Sequence, residues 1–283
     1  MLNLYTPFPR YENAIFVGDT ATEALAQLHI YARGLIGGDI PSMECLHPSE
    51  KMLECTHCAL KHRPQILDAA ARRIQADYIL LEDNGHPSLN PIVMKEALEA
   101  EGFVVKTLNV QGSPEEVLLR AASLMNETKQ AERVIRDLET RVAAVKRIPE
   151  LLPLKVLPIL GIRHPIENAT YVFATTKTAD LTQTIMEPLG LVNPIQEVYN
   201  ELLPGLFDPN DENGWAELLE QTQPDVIALC GDATAAQCQV LTSLKELSIS
   251  PTVMPLPWYC QSMGCRYGRI LEIWKDALQH IGR

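Results

Sequence analysis

The sequence predicts an α/β protein of two Rossmann-like lobes, each a parallel sheet with flanking helices, joined by one long helix. Short apolar strands alternate with amphipathic helices in both halves of the chain. Between the halves, a helical pattern begins at Ser113, and after Pro114 in its first turn it meets no proline until Pro149. A length of 283 residues suits two lobes better than one small core. We therefore expect an N-terminal lobe over 1–112, the connecting helix over 113–150 and a C-terminal lobe over 151–283.

The N-terminal lobe opens with a buried strand, Ala14–Gly18, whose short apolar run is typical of a parallel sheet. A helix follows from Asp19, where Thr20 and Glu23 match a capping box. An irregular, cysteine-rich stretch is expected from Asp39 to Arg63, before a helix with one apolar face that begins at Pro64. Further strands are predicted at Gly34–Gly37, Asp77–Leu81 and Phe103–Leu108.

The connecting helix has a strong start signal. Ser113 is a predicted N-cap, Pro114 suits the first helical position, and Glu116 completes a capping box. About 34 helical residues would span roughly 50 Å, enough to run across two lobes. The alternative is an ordinary amphipathic surface helix. Beyond it, the C-terminal lobe repeats the pattern with strands at Lys155–Leu160, Thr170–Ala174 and Pro224–Cys230 and helices over 178–189, 233–247 and 267–281.

Composition and charge exclude several classes of protein. Lys and Arg total 24 against 36 Asp and Glu, a net charge of -12 with no basic cluster, so no nucleic acid partner is expected. The richest apolar stretch, 151–162, is broken by Pro153, Lys155 and Pro158, so the chain is not expected to be membrane-embedded. Seven cysteines and no visible export signal favour a cytoplasmic location, and a periplasmic one only if an export signal is missing from this sequence.

Several segments resemble the helical-backbone metal receptors, the class III substrate-binding proteins of ABC importers for iron-siderophores, haem or cobalamin. The motifs that carry the resemblance run along most of the chain: Ile15-Phe-Val-Gly18, Ala21-Thr-Glu-Ala-Leu25, Arg33 to Gly38, Ile66-Leu-Asp68 with Ala76 to Leu80, Gly190-Leu-Val-Asn193 and Gln223-Pro-Asp-Val-Ile227. The resemblance implies a binding protein rather than an enzyme, with a metal chelate held in an inter-lobe cleft. It also implies an ABC permease as partner if the chain is exported.

Two cysteine-bearing loops are expected to converge on one cleft and to form a single metal site there. Cys45, Cys55 and Cys58 form C-x9-C-x2-C with His47 and His57 between them. Such spacing lets thiolates reach one soft metal ion or an Fe–S cluster. In the resemblance the loop before the last helix also faces the cleft, and it carries Cys260 and Cys265. The alternative is that these thiols bind nothing and pack as small hydrophobes, the role expected of Cys230 and Cys238.

Other candidates follow strand ends, where open α/β sheets bind ligands. Arg163 suits a carboxylate of a tetrapyrrole or hydroxycarboxylate siderophore through its bidentate fork. His86 and His164 are candidate axial ligands of the metal, although a lone histidine is commonly a satisfied polar group. Two aromatic residues of the loop before the last helix would stack on a flat ligand or pack within the lobe. The predicted ligand-binding residues are Arg163, His164, His86, Tyr171, Trp258 and Tyr259.

Motifs for common enzymatic chemistry are absent from the sequence. It contains no glycine-rich phosphate loop, no G-x-S-x-G elbow and no H-E-x-x-H pair. The catalytic alternative is an Fe–S cluster-bearing reductase or cofactor-assembly scaffold of nitrogenase-like architecture. That alternative would use the same cysteines as cluster ligands.

Overall fold

The computed structural model describes residues 8–37, 50–145, 154–163, 170–177, 179, 181–195, 205–209, 214–245, 247, 249–257 and 264–281. The chain divides into two compact units, unit 1 over Met1–Asp137 and unit 2 over Leu138–Arg283. In its described residues, each unit contains a five-stranded sheet flanked by helices. The prediction of two α/β lobes is confirmed.

Unit 1 is built on a parallel sheet with strand order β3-β2-β1-β4-β5. Its strands are β1 (Arg10–Val17), β2 (Ile30–Ile36), β3 (Lys51–Glu54), β4 (Tyr78–Asp83) and β5 (Val105–Asn109). Its helices are α1 (Asp19–Gln27), α2 (Thr56–Lys61), α3 (Gln65–Ile74), α4 (Lys95–Ala100), which follows a 3-10 turn at Pro91–Met94, and α5 (Pro114–Met125). Helix α6 (Thr128–Ala144) crosses the boundary between the units.

Both faces of this sheet carry buried apolar side chains. Along β1, Ile15 and Val17 belong to a cluster that includes Leu67 of α3. Ala14 and Phe16 alternate with them along the strand, so they face the opposite side of the sheet, where they are also buried. Helix α1 packs against α5, where Leu118 is fully buried. Parallel strands covered on both faces are expected to contain continuous apolar runs, and Ala14–Val17 of β1 and Tyr78–Leu81 of β4 are such runs.

The predicted capping box of α1 is wrong. Helix α1 begins at Asp19, its N-cap is Gly18, and Gly18 has no side chain to accept a bond. Glu23 lies inside the helix, 1% exposed, and accepts a hydrogen bond from Gln27 Nε2 at 3.1 Å. The capping box of Ser113 and Glu116 at the start of α5 is confirmed.

The uninterrupted helix predicted from Ser113 is also wrong. Helix α5 ends at Met125, and Asn126 adopts a left-handed conformation with φ 61°. The backbone N–H of Glu127 donates to the Ala122 carbonyl at 2.8 Å, a closing bond typical of helix C-termini. Asparagine tolerates this conformation better than most other non-glycine residues. Helix α5 therefore ends here, and a separate helix, α6, begins at Thr128. The connecting role of 113–150 stays a prediction.

Unit 2 contains a mixed sheet with order β10-β9-β6-β7-β8, which corrects the expectation of a parallel one. Its strands are β6 (Val156–Arg163), β7 (Thr170–Thr175), β8 (Leu206–Phe207), β9 (Val226–Gly231) and β10 (Thr252–Pro255). Strands β6, β9 and β10 are parallel, whereas β7 pairs antiparallel with β6 and β8. Six residues separate β6 from β7, too few for the crossover that a parallel partner requires.

The helices of unit 2 cover both faces of its sheet. A π-helical turn at Thr182–Met186 leads into α7 (Glu187–Leu189), and α8 (Gly214–Thr222), α9 (Ala233–Leu244) and α10 (Tyr267–Ile281) follow. Trp274 of α10 lies in one core cluster and Trp215 of α8 in the other. Cys230 is fully buried, as expected, and the side chain of Cys238 lies outside the described residues. Within the described ranges, no helix has the length and hydropathy to span a bilayer.

Candidate functional site

The carboxyl end of β4 carries a polar loop that hydrogen bonds hold in place. Asp83 Oδ1 accepts from Asn90 Nδ2 at 2.8 Å, and its Oδ2 accepts from Asn109 Nδ2 of β5 at 3.3 Å. Asn90 Oδ1 in turn accepts the backbone N–H of Asn84 and of Ile92, each at 3.3 Å. Both ends of the loop between β4 and the 3-10 turn are thereby fixed to the sheet.

Glu82 connects this loop to helix α1. Its carboxylate is 5% exposed, and Oε2 accepts the backbone N–H of Ala21 at 2.9 Å. Oε1 accepts from Asn84 Nδ2 at 3.3 Å. A negative charge in the first turn of a helix interacts favourably with the helix dipole and satisfies an orphan backbone donor. Glu82 therefore supplies the cap that Gly18 cannot.

His86 lies within the loop, and hydrogen bonds to Nδ1 orient its ring. Its Nδ1 accepts the backbone N–H of Ser88 at 3.1 Å and of Leu89 at 3.0 Å. A nitrogen that accepts two N–H bonds carries no proton, so the proton of the neutral ring lies on Nε2. In this tautomer Nε2–H is a donor, and coordination of a metal by Nε2 requires the proton to move to Nδ1 with loss of both N–H bonds. This hydrogen-bond pattern suits donation to a ligand oxygen, and axial ligation by His86 stays a prediction.

In unit 2, the register of β6 and β7 brings two predicted residues to one end of the sheet. Ile162 is paired with Tyr171, and Arg163 with Thr170. Because β7 runs antiparallel, its first residues lie beside the carboxyl end of β6. The Tyr171 side chain is 45% exposed. The backbone of Arg163 belongs to β6, but its side chain lies outside the described residues.

Asn193, quoted above for the resemblance, has a structural role. Its side chain is 2% exposed, and Nδ2 donates to the Thr175 carbonyl at 2.9 Å and to Thr182 Oγ1 at 3.0 Å. Oδ1 accepts the backbone N–H of Ile195 at 3.0 Å. Asn193 thus joins the end of β7, the π-helical turn and the following loop inside unit 2.

Part of the predicted cysteine site is compact and lies within unit 1. The sulfurs of Cys55 and Cys58 and a carboxylate oxygen of Glu54 are all within 4.8 Å of one another. Glu54 was not predicted, and its position next to Cys55 in the sequence is the signal that could have found it. Cys265 is buried in unit 2. No disulfide joins any two of the four cysteines that the structure describes.

Six residues that the sequence analysis named lie in other parts of the chain. Those that lie outside the described residues are Cys45, His47, His164, Trp258, Tyr259 and Cys260. The convergence of the two cysteine loops on one cleft therefore stays a prediction.

A cavity of about 370 Å³ lies elsewhere in unit 1, between the sheet and α3. Its lining is mostly apolar and includes Ile15, Leu53 and Ile66, with Arg33 and Arg73 among its basic residues. None of the predicted site residues lines it.

Comparison with known proteins gives a likeness in structure only. No family model matches the sequence, and no curated protein matches it. Among solved structures, the periplasmic heme-binding protein BhuT in complex with two hemes is 14% identical, with 95% of this chain and 98% of that chain covered and a TM-score of 0.66. The periplasmic heme-binding protein HutB of Vibrio cholerae is 14% identical, with 95% and 99% covered and a TM-score of 0.62.

A third similar structure comes from an iron importer. The iron uptake ABC transporter substrate-binding protein PiuA from Streptococcus pneumoniae is 15% identical, with 95% of this chain and 93% of that chain covered and a TM-score of 0.59. The chain therefore has the fold of the substrate-binding proteins of ABC importers. The fold that the sequence motifs implied is confirmed.

Proposed function

We propose that this chain binds an iron chelate, either heme or a ferric siderophore, as the substrate-binding component of an ABC importer. The observation that carries the proposal is the similarity in fold to heme-binding BhuT over 95% of this chain and 98% of that chain. The similarity to the iron uptake protein PiuA supports the same class of ligand. Binding, release and delivery to a permease require no bond-making step, so the proposed function is not enzymatic.

The polar loop after β4 supplies a recognition element for such a ligand. Heme propionates and hydroxycarboxylate siderophores both present carboxylates, which accept hydrogen bonds. His86 Nε2–H is a donor whose ring is oriented by its contacts to Ser88 and Leu89. Arg163 at the end of β6 is the proposed cationic partner of a carboxylate, and Tyr171, Trp258, Tyr259 and His164 remain candidate contacts.

The similar structures named above give no support to three other expectations. They are binding proteins, so they do not support an Fe–S reductase or an assembly scaffold. None is described as a cobalamin receptor, and two are described as periplasmic. Fractionation of cells that express the native gene tests the cytoplasmic expectation. Recovery with periplasmic marker proteins would contradict it.

Quenching of tryptophan fluorescence during titration with heme, ferric citrate and cobalamin tests the proposed function. We expect saturable quenching by heme or by ferric citrate. No saturable response to either iron compound, or a response to cobalamin alone, would contradict the proposal. The chain contains three tryptophans, including buried Trp215 and Trp274, which provide the signal.

The His86→Asn variant tests the recognition element within that experiment. The asparagine carbonyl occupies the place of Nδ1 and can accept the loop N–H bonds, but the Nε2–H donor is lost. One hydrogen bond to a charged group contributes roughly 1.5–3 kcal/mol, so we expect at least about tenfold weaker binding. His280→Asn, the same change on an exposed turn of α10, is the control and should bind as the wild type does.

A further inference from the structure

We propose that Glu54, Cys55 and Cys58 form a binding site for a thiophilic divalent cation of the Zn²⁺ class, contained within unit 1. The observation is that two thiol sulfurs and a carboxylate oxygen lie within 4.8 Å of one another. Two sulfurs and one oxygen are a ligand set that zinc accepts in proteins. The site is distinct from the proposed iron-chelate function, and neither depends on the other.

The fold holds the three ligands in place. Glu54 is the last residue of β3, and its carbonyl accepts the backbone N–H of Gly37 at 3.1 Å, which ties it to the end of β2. Cys55 is the N-cap of α2, and Cys58 lies in the first turn of that helix. The site therefore lies at the carboxyl edge of a parallel sheet, where open α/β folds bind ligands.

The sulfur of Cys55 is held in place by the helix that it caps. The sulfur accepts the backbone N–H of Cys58 at 3.2 Å, and Cys55 as a whole is 6% exposed. Cys58 is partly exposed, which leaves an ion a route to the site.

Glu54 is a buried carboxylate, 1% exposed, with a defined orientation. Its Oε1 accepts the backbone N–H of Cys55 at 3.1 Å, and its Oε2 accepts from Arg63 Nη1 at 3.0 Å. Each oxygen retains a second lone pair for an ion. The Arg63 side chain is 57% exposed, so it can withdraw into solvent when a cation arrives.

The dimensions fit one ion with a small adjustment. Zn–S bonds of about 2.3 Å in a tetrahedron place two sulfurs about 3.8 Å apart. In the structure the two sulfurs are at most 4.8 Å apart, so their separation must shorten by at most about 1 Å. Rotation of the partly exposed Cys58 side chain can supply this shift. Three protein ligands leave a fourth position for water or another ligand. An iron–sulfur cluster commonly takes four thiolates, and the described residues of unit 1 supply two.

Cobalt substitution tests the site directly. The full chain, reduced with a phosphine and kept under argon, is titrated with Co²⁺ and then with Zn²⁺. We expect a near-ultraviolet thiolate-to-cobalt charge-transfer band that saturates and that Zn²⁺ abolishes. Cys55→Ser and Cys58→Ser should each remove at least half of the band intensity. Serine at position 55 can still cap α2, so that variant keeps its fold.

Two further variants locate the site. Glu54→Gln should weaken Co²⁺ binding about tenfold or more, because loss of a ligand is at least as costly as loss of its supporting contacts. Cys230→Ala, in the core of unit 2, should leave the band unchanged. Circular dichroism confirms that each variant is folded.

Three results would overturn the proposal. They are no thiolate band in the reduced protein, a band that survives both cysteine variants, and a Cys55–Cys58 disulfide whose reduction yields no cobalt binding. The last result would identify a redox pair instead. Because heme and ferric citrate are not used, failure here leaves the iron-chelate proposal standing.

Discussion

Gly18 lies so close to Glu82 that a Cβ added at Gly18 would overlap the Glu82 side chain. The contact brings the Glu82 carboxylate within 2.9 Å of the backbone N–H of Ala21. The end of β4, which carries the polar loop of His86, is thereby attached to the first turn of α1.

Substitution of Gly18 by alanine should destabilise the protein by about 1–3 kcal/mol. Gly18 has φ 115°, a conformation that L side chains rarely adopt, and the new methyl would displace Glu82 from its cap. Urea unfolding measures the loss. Gly102→Ala is the control, because Gly102 also has a positive φ, 88°, but open space around it. Equal losses for the two variants would show that the contact with Glu82 is unimportant.

The break between α5 and α6 predicts opposite effects of two substitutions at Asn126. Asn126→Gly should keep or slightly raise the free energy of unfolding, since glycine adopts φ 61° without a steric penalty. Asn126→Val should lower it by about 1–2 kcal/mol, because a β-branched side chain is strained there. If valine stabilised the protein and raised its helix content by circular dichroism, the helix would run through position 126.

Tyr78 should make the stability of the protein fall at alkaline pH. Burial, followed by the nearby Glu12 carboxylate, raises the pKa of Tyr78 well above its ordinary value. The protonated phenol is the form that the fold favours and donates to Glu12 Oε2 at 3.1 Å. The contribution is therefore complete below the unfolded-state pKa of about 10 and is lost as the pH rises toward the raised value.

Urea unfolding at neutral pH and above about pH 10 checks this dependence. Tyr78→Phe should be less stable than the wild type at neutral pH and should lose less stability on going to alkaline pH. Tyr171→Phe is the matched control, because Tyr171 is exposed. An alkaline loss of the same size in Tyr78→Phe and in the wild type would contradict the assignment.

The sequence predicted the fold where local patterns decide the structure. Uniformly apolar runs such as that of β4 identified buried strands, and the serine–glutamate pair before α5 identified its start. Two errors have physical causes. Asparagine is compatible with the interior of a helix and with its C-terminus. The hydrogen bond from Glu127 N–H to the Ala122 carbonyl places Asn126 at a C-terminus. The apolar pattern that identified β7 does not report strand direction, and the short link from β6 allows only an antiparallel partner.

The candidate site was less predictable because it depends on contacts between distant segments. His86 was found from its place after a strand, but its tautomer follows from two backbone donors that only the folded loop supplies. Cys55 and Cys58 were found from spacing. Glu54 was missed although it adjoins Cys55 in the sequence. The capping role of Glu82 was missed because a glutamate at a strand end gives no sign of which N–H it will accept.

The most direct measurement of the central claim is a crystal structure of the chain after equilibration with the iron compound that quenches its fluorescence. The account predicts that a carboxylate oxygen of the bound chelate lies within about 2.7–3.2 Å of His86 Nε2, with Nδ1 still accepting from Ser88 and Leu89. A chelate bound away from the β4 loop, or iron coordinated directly by His86, would contradict it.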